Sequence, residues 1–210
     1  MDDQDTPTFS PAEARVLACL MEKELVTPDN YPLTVNSLTL ACNQKSNREP
    51  VMNLSPGEVG HLANELAKRD LVRVEHGERA PRITHRMHRA YARNPAQQAV
   101  LAVLMLRRPQ TLNEIRIRTE RMVKFDGPEA ALEVLEDLMR RNPPLAVCLP
   151  KGAGQREDRY AHTLCGPVEY EPAPGPAEAD PARRSRMESL EARIEVLETQ
   201  LADLLERLGS

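Results

Sequence analysis

Between Lys68 and Arg93 the chain carries Lys68, Arg69, Arg73, Arg79, Arg82, Arg86, Arg89 and Arg93 against three carboxylates, Asp70, Glu75 and Glu78. Cations at this density hold phosphate oxygens, by charge and, for arginine, through a planar fork of donors. Their spacing adds direction. In "LVRVEH" and "RITHRM" apolar and charged residues alternate, so Val72, Val74 and Ile83 facing inward leave Arg73, Arg82 and Arg86 facing outward, with Arg79 at the turn "GERAP". Just upstream, Val59, Leu62, Ala63 and Leu66 form one helical stripe, and the opposite face shows Gly60, His61, Asn64, Glu65 and Lys68. An asparagine there suits adenine, and a histidine or lysine suits guanine. Lys45 and Arg48 add two cations in the amide-rich segment "CNQKSNREPVMNL". The candidate nucleic-acid-binding residues are therefore Lys45, Arg48, His61, Asn64, Lys68, Arg73, Arg79, Arg82 and Arg86.

No other chemistry is written as clearly. His85 and His88 fall on alternate strand faces, which does not suit a shared metal. Cys19, Cys42, Cys148 and Cys165 lie far apart with no CxxC pair, a pattern that fits a reducing compartment and neither a disulfide framework nor a zinc knuckle. "PKGAGQRED" has glycines but lacks the G-K-(S/T) of a phosphate-binding loop, and no nucleophile elbow appears. Two Phe and no Trp leave little to stack on bases, which argues against a single-strand or RNA reader. The expectation is a protein with no catalytic residues, metal or cofactor, and not an enzyme.

The elements that must position these residues are announced by a repeated grammar. "SPAE" at Ser10–Glu13 and "NPAQ" at Asn94–Gln97 each read as a helix N-cap, a proline at the first helical position, and a residue able to bond back to the cap. "SPGE" at Ser55–Glu58 and "DGPE" at Asp126–Glu129 repeat the idea. Between them "PLTVNSL" (Pro32–Leu38) and "PQTLNEI" (Pro109–Ile115) share P-x-T-(V/L)-N-x-(L/I). Three matched pairs in one order imply two copies of a unit: three helices closed by a two-stranded hairpin, the winged-helix plan. The fold class expected is mainly α with small β-hairpins (α+β), a tandem pair of winged helices followed by a C-terminal coiled-coil helix. The parts are an acidic tail over 1–9, winged helix 1 over 10–93, winged helix 2 over 94–166, a Pro-rich acidic linker over 167–182 and the coiled-coil helix over 183–210.

The copies differ where binding is expected. Copy one holds extra residues around "ELVTPDNYPL" and "CNQKSNREPVMNL", both flanking its second helix, and loop beyond what connection needs is often functional. Copy two's third helix carries Glu129, Glu133, Glu136 and Asp137, which a phosphate backbone repels. Copy one is the expected reader.

The segments "TPDNYPLTVNSL", "ACNQKSNREPVMNLS" and "REDRYAHTLCG" resemble the signature stretches of the YceH family of bacterial proteins, over roughly residues 10–166. That resemblance implies tandem winged helices and no established biochemical activity.

Net charge and tail complete the picture. The formal charge of −4 divides into an acidic N-terminus, a body over 10–165 with 23 Lys+Arg against 19 Asp+Glu, and acidic residues from 166 onward. A mildly basic body permits a nucleic-acid partner. The acidic N-terminus is unlike a signal peptide, and no apolar run approaches membrane-spanning length, so a cytoplasmic protein without a membrane partner is expected. Near the C-terminus Met187, Leu190, Ile194, Leu197, Leu201, Leu204 and Leu208 are spaced alternately three and four apart, an a/d seam. Arg186 with Glu191 and Arg193 with Glu198 become g–e pairs only in a parallel arrangement. A parallel homodimer is expected, with a trimer as the other state that leucine at both seam positions permits. Function is expected to be DNA binding of a transcription-regulator kind, on double-stranded DNA, through winged helix 1 and its wing. The alternative is a non-enzymatic protein-interaction scaffold of tandem winged helices, similar in layout to the ScpB subunit of bacterial condensin.

Overall fold

The computed structural model describes residues 8–75, 80–152, 155–168 and 193. Met1–Pro150 with Glu157–Tyr170 form one compact unit, and Lys151–Arg156 with Glu171–Ser210 a second. Of the second, the described residues show a turn closed by the Gln155 N–H donating to Gly152 O at 3.1 Å, and Arg193 in helical conformation. The predicted seam from Met187 to Leu208 lies outside the described residues, as does Arg79.

Six α-helices and two small antiparallel sheets make up the described part of the first unit, in the order α1 (Pro11–Val26), β1 (Leu33–Thr34), α2 (Val35–Cys42), α3 (Pro56–Lys68), β2 (Val72–Glu75), β3 (Arg82–His85), α4 (Pro95–Leu106), α5 (Leu112–Thr119), α6 (Pro128–Met139), β4 (Ala146–Leu149) and β5 (Arg159–His162). Three helices and a hairpin thus occur twice. None of the described helices is long and apolar enough to cross a membrane.

The helix starts follow from their capping residues. Ser10 Oγ accepts from the Glu13 N–H at 3.2 Å while Glu13 returns a carboxylate oxygen to the Ser10 N–H at 2.8 Å. Ser55 and Glu58 repeat this reciprocal cap at α3. Two of the expected caps differ. At α4 Asn94 accepts from Gln97 N–H, but Gln97 Oε1 accepts from Arg93 N–H rather than from the cap itself. At α6 the cap is Gly127, one residue later than Asp126, and no side chain caps it. α5 ends at Thr119, whose Oγ1 turns back onto the Ile115 and Arg116 carbonyls as the chain leaves the helix.

A strand not foreseen, β1, pairs with β3 in register Leu33 with Ile83 and Thr34 with Arg82, giving sheet order β1-β3-β2. In the second repeat a single bridge from Gln110 to Tyr160 stands in its place beside β4 and β5. α3 ends where Asp70 adopts φ 56° and the Leu71 N–H bonds the Leu66 carbonyl, the left-handed helix stop that aspartate tolerates.

The core is continuous between the repeats. α4 is buried at every residue from Gln97 to Leu106, as the unbroken apolar run from Ala99 onward needs, and its most extensive helix contact is α1 of the first repeat. Polar groups cross that seam in pairs. Gln98 Nε2 donates to the Met21 carbonyl at 3.0 Å and to Glu24 at 2.8 Å. Glu24 also receives His85 at 2.7 Å, and because the Met87 N–H points at His85 Nδ1, the imidazole proton resides on Nε2. That hydrogen bond holds the Glu24 carboxyl below its ordinary pKa, against the opposing effect of burial.

Candidate functional site

Both insertions of the first repeat are built into the fold. In the first, the Tyr31 hydroxyl accepts from the His85 N–H at 2.8 Å, and Arg82 Nη1 donates to the Pro32 carbonyl at 2.9 Å. The second insertion is fixed along its length. Asn43 bonds Leu54 through both amide atoms, at 2.7 and 2.8 Å, closing the segment as a loop. Arg15, itself 1% exposed, donates to the Cys42 and Pro50 carbonyls from beneath. On its far side the Glu49 N–H bonds Leu106 O at 2.9 Å, and Arg107 bonds Asn47 Oδ1 at 3.0 Å, tying the loop to the second repeat. Arg107 is pushed down to about 10 by burial, with the charge of Arg118 adding to the effect.

Arg48 corrects an expectation. Its guanidinium has no exposed surface: Nε donates to Ala41 O at 2.9 Å, Nη1 to Asn47 O at 2.9 Å, and the two terminal nitrogens grip the Glu22 carboxylate at 3.2 and 2.6 Å. It holds the loop to α1 and offers no donor to a phosphate. Burial pushes the Glu22 carboxyl up, but the hydrogen bond and charge of Arg48, with help from Lys23, outweigh it and leave Glu22 below its ordinary value. Nothing in the residue types marked Arg48 as internal. The polar Glu22, one turn beyond Ala18 on a helix otherwise buried from Ala14 to Met21, was the available signal.

The remaining expected residues that the structure describes lie at the surface. Lys45 is exposed on the loop. His61, Asn64 and Lys68 share the solvent face of α3, where Lys68 pairs with Glu65 at 2.6 Å. Gly60, placed by its spacing on the same face as His61 and Asn64, instead faces α2: an added Cβ there would meet Val35 Cγ1 at 3.9 Å. Arg73 and Arg82 emerge on one face of the sheet, because Arg73 opposes Thr84 and Glu75 opposes Arg82. Glu75 lies between them and pairs with Arg73 at 3.1 Å. Arg86 is turned aside and bonds Asp70, which also takes Arg89. The structure therefore brings together His61, Asn64 and Lys68, and separately Arg73 with Arg82, while Arg48 and Arg86 are engaged by carboxylates elsewhere.

Sequence reasoning missed the exposed apolar residues. Among the described residues three large apolar side chains are strongly exposed: Leu40 at 74%, Val51 at 57% and Ile117 at 55%. Leu40 lies just before the second insertion and Val51 within it. Leu40 and Ile117 are equivalent, each four residues after the shared asparagine (Asn36, Asn113), so extending the repeated motif by two residues would have found them.

Residues 9–155 match the family described as "Protein of unknown function, DUF480". The chain is 47% identical over 199 residues to a UPF0502 protein of Cellvibrio japonicus, spanning 94% of this chain and 91% of that one. It is 44% identical over 212 residues to a UPF0502 protein of Pseudomonas fluorescens, with 96% of each chain covered. A UPF0502 protein of Mesorhizobium japonicum is 43% identical over 207 residues, covering 99% of this chain and 98% of that one. The extent of these matches, together with the "TPDNYPLTVNSL" and "ACNQKSNREPVMNLS" segments whose geometry is given above, makes the chain a member of the DUF480 family, the UPF0502 proteins, in keeping with its YceH-like signature.

Proposed function

We propose that the chain is a non-enzymatic protein-interaction scaffold of the cytoplasm, built from two winged helices: α1–α3 with β1–β3, and α4–α6 with β4 and β5. One observation carries this reading over DNA binding. Four of the first repeat's candidate cations are answered from within the protein, Arg48 by Glu22, Lys68 by Glu65, Arg73 by Glu75 and Arg86 by Asp70, leaving Lys45 and Arg82 without a carboxylate among the described residues, while Leu40 and Val51 face solvent at a loop that is rigidly held. A phosphate-binding face works by keeping its cations free for counterion exchange. A protein-binding face works through a few ordered apolar anchors. The seam from Met187 to Leu208 would join two such scaffolds in parallel.

A second reading, double-stranded DNA, is favoured by the shared solvent face of His61, Asn64 and Lys68 on α3, the helix that enters the major groove in winged helices of that kind. Exposed ion pairs such as Arg73–Glu75 are weak and yield to a competing phosphate. Fluorescence anisotropy with duplex DNA at rising salt separates the two. The scaffold reading expects no more than non-specific affinity, a Kd of about 10⁻⁴–10⁻⁶ M at physiological salt, unchanged by Arg73→Ala with Arg82→Ala. Tighter, salt-sensitive binding that this double substitution weakens would overturn it. In cells, a photo-crosslinking residue at position 40 is expected to give a discrete protein adduct that Val51→Asp abolishes.

A further inference from the structure

Cys19 and Cys42, distant in the sequence, meet in the fold. Cys19 lies on the buried face of α1 and Cys42 is the last residue of α2; neither has exposed surface, and the two thiols share a hydrogen bond. Two guanidiniums stand against them. Arg15, one helical turn before Cys19 on α1, donates to the Cys42 carbonyl at 3.0 Å, and Arg48 donates to the Ala41 carbonyl at 2.9 Å. Glu22 answers Arg48, but Arg15 has no carboxylate among the described residues, and its buried Nε has no hydrogen-bond partner. A cation without an anion, beside a pair of thiols, is the setting in which a thiol becomes a thiolate. Burial pushes the Cys19 thiol up, but the hydrogen bond from Cys42 and the charges of Arg48 and Arg15 outweigh burial and the charge of Glu22, leaving Cys19 below its ordinary value. Cys42 is pushed up by that same hydrogen bond and by burial, so it keeps its proton. The partly exposed Cys148 and Cys165 are raised instead, by burial and by the carboxylates of Asp158 and Glu13 respectively.

We infer that Cys19 and Cys42 form a reversible dithiol–disulfide pair, Cys19 being the sulfur that a peroxide oxidises and Cys42 the one that resolves it. The Cys19 thiolate attacks one oxygen of hydrogen peroxide, the O–O bond breaks, and hydroxide leaves and takes up the proton that Cys19 had released. Cys19 is then a sulfenic acid. The Cys42 sulfur attacks it while losing its own proton, the S–O bond breaks, and water leaves. Two thiols and one peroxide have become one disulfide and two waters. Return needs an external dithiol, which is oxidised as the pair is reduced. Because the guanidiniums favour the thiolate, they stabilise the reduced pair, and a disulfide opposed in this way is labile rather than structural. Both sulfurs are enclosed, so the oxidant enters when the loop over α1 briefly lifts, an opening that suits a molecule as small as hydrogen peroxide. The bond ties the end of α2 to α1 at the foot of the loop that carries Val51. It requires neither the scaffold reading nor the DNA reading, and its test fails separately from theirs.

The test gives the full-length wild-type chain, folded and reduced, one equivalent of hydrogen peroxide, stops the reaction with catalase and maps the products by trypsin digestion and mass spectrometry. Residues 16–23 joined by a disulfide to residues 24–45 are expected as the main product, separated again by dithiothreitol. Cys148 and Cys165 should be oxidised about tenfold more slowly. In C42S the reaction should stop at a Cys19 sulfenic acid, captured by dimedone as the chain is unfolded. In C19S the Cys42 thiol should disappear about tenfold more slowly than in the wild type. Oxidation of Cys148 or Cys165 ahead of the pair, a Cys19–Cys42 bond that forms only in urea, no dimedone adduct in C42S, or a Cys42 rate untouched by C19S would each overturn the inference. The wild-type map decides even where a serine variant fails to fold.

Discussion

Replacing Arg48 with Met tests whether the amide-rich loop is held from inside. The guanidinium makes four hydrogen bonds, two of them to a carboxylate that is 12% exposed. Removing one member of such a pair strands the other; for buried pairs this costs about 3–5 kcal/mol, of which most is the unpaired charge. A domain of this size is stable by roughly 5–15 kcal/mol, so the loss should be plain: a thermal midpoint lower by about 10 °C and a matching fall in the urea midpoint. The pH dependence carries a sharper signature. In the native protein Glu22 is held below its unfolded pKa, so its contribution is present above that value and fades as pH falls through the folded one. Without Arg48 the largest remaining influence is burial, which raises the carboxyl pKa, so the variant should lose stability as pH rises past the unfolded value. The sign reverses. Arg48→Met combined with Glu22→Leu removes both charges and should recover most of the loss. The assay is urea unfolding followed by circular dichroism between pH 4 and 8. A loss below about 1 kcal/mol, or a double variant no more stable than Arg48→Met alone, would refute an internal role for this pair.

Two further outcomes follow from the packing. His162 holds Nδ1 away from water without a partner, and burial pushes its pKa down to about 4, so the neutral ring is favoured in the folded state. Its contribution is complete above the unfolded value near 6.5 and is lost as pH falls toward 4, with a ceiling of about 3 kcal/mol; an imidazole NMR signal assigned to His162 that titrates near 6.5 would contradict this. Gly60 has space for a methyl group, its added Cβ meeting Val35 at 3.9 Å, so Gly60→Ala should raise stability by about 0.5–1 kcal/mol in a thermal melt, and a fall would show the α2–α3 contact to be tighter than described.

How much of this was legible in the residues depends on whether the information was local. Caps are local, and Ser10 with Glu13 and Ser55 with Glu58 formed as their spacing dictates. The repeat was legible because two copies of one motif must fold alike. β1 was not, since two residues are too few to show alternation and Leu33 becomes a strand only by meeting Ile83, fifty positions away. Arg48 was misplaced for the same reason: its partner Glu22 lies 26 residues upstream, and an arginine in a polar run looks solvated until the loop is folded over α1. His85 and its counterpart two residues after Tyr160, His162, occupy matching strand positions, yet one finds a carboxylate and the other none, because Glu24 of the first repeat has no equivalent reaching the second.

The unbroken burial of α4, with Gln98 reaching back to Met21 and Glu24, means that neither half of this molecule is a portable module. A cut at Arg93 would bare a greasy helix on one fragment and its cradle on the other, and both pieces would be expected to clump. Whatever grips the first repeat thereby also fixes where the second one points.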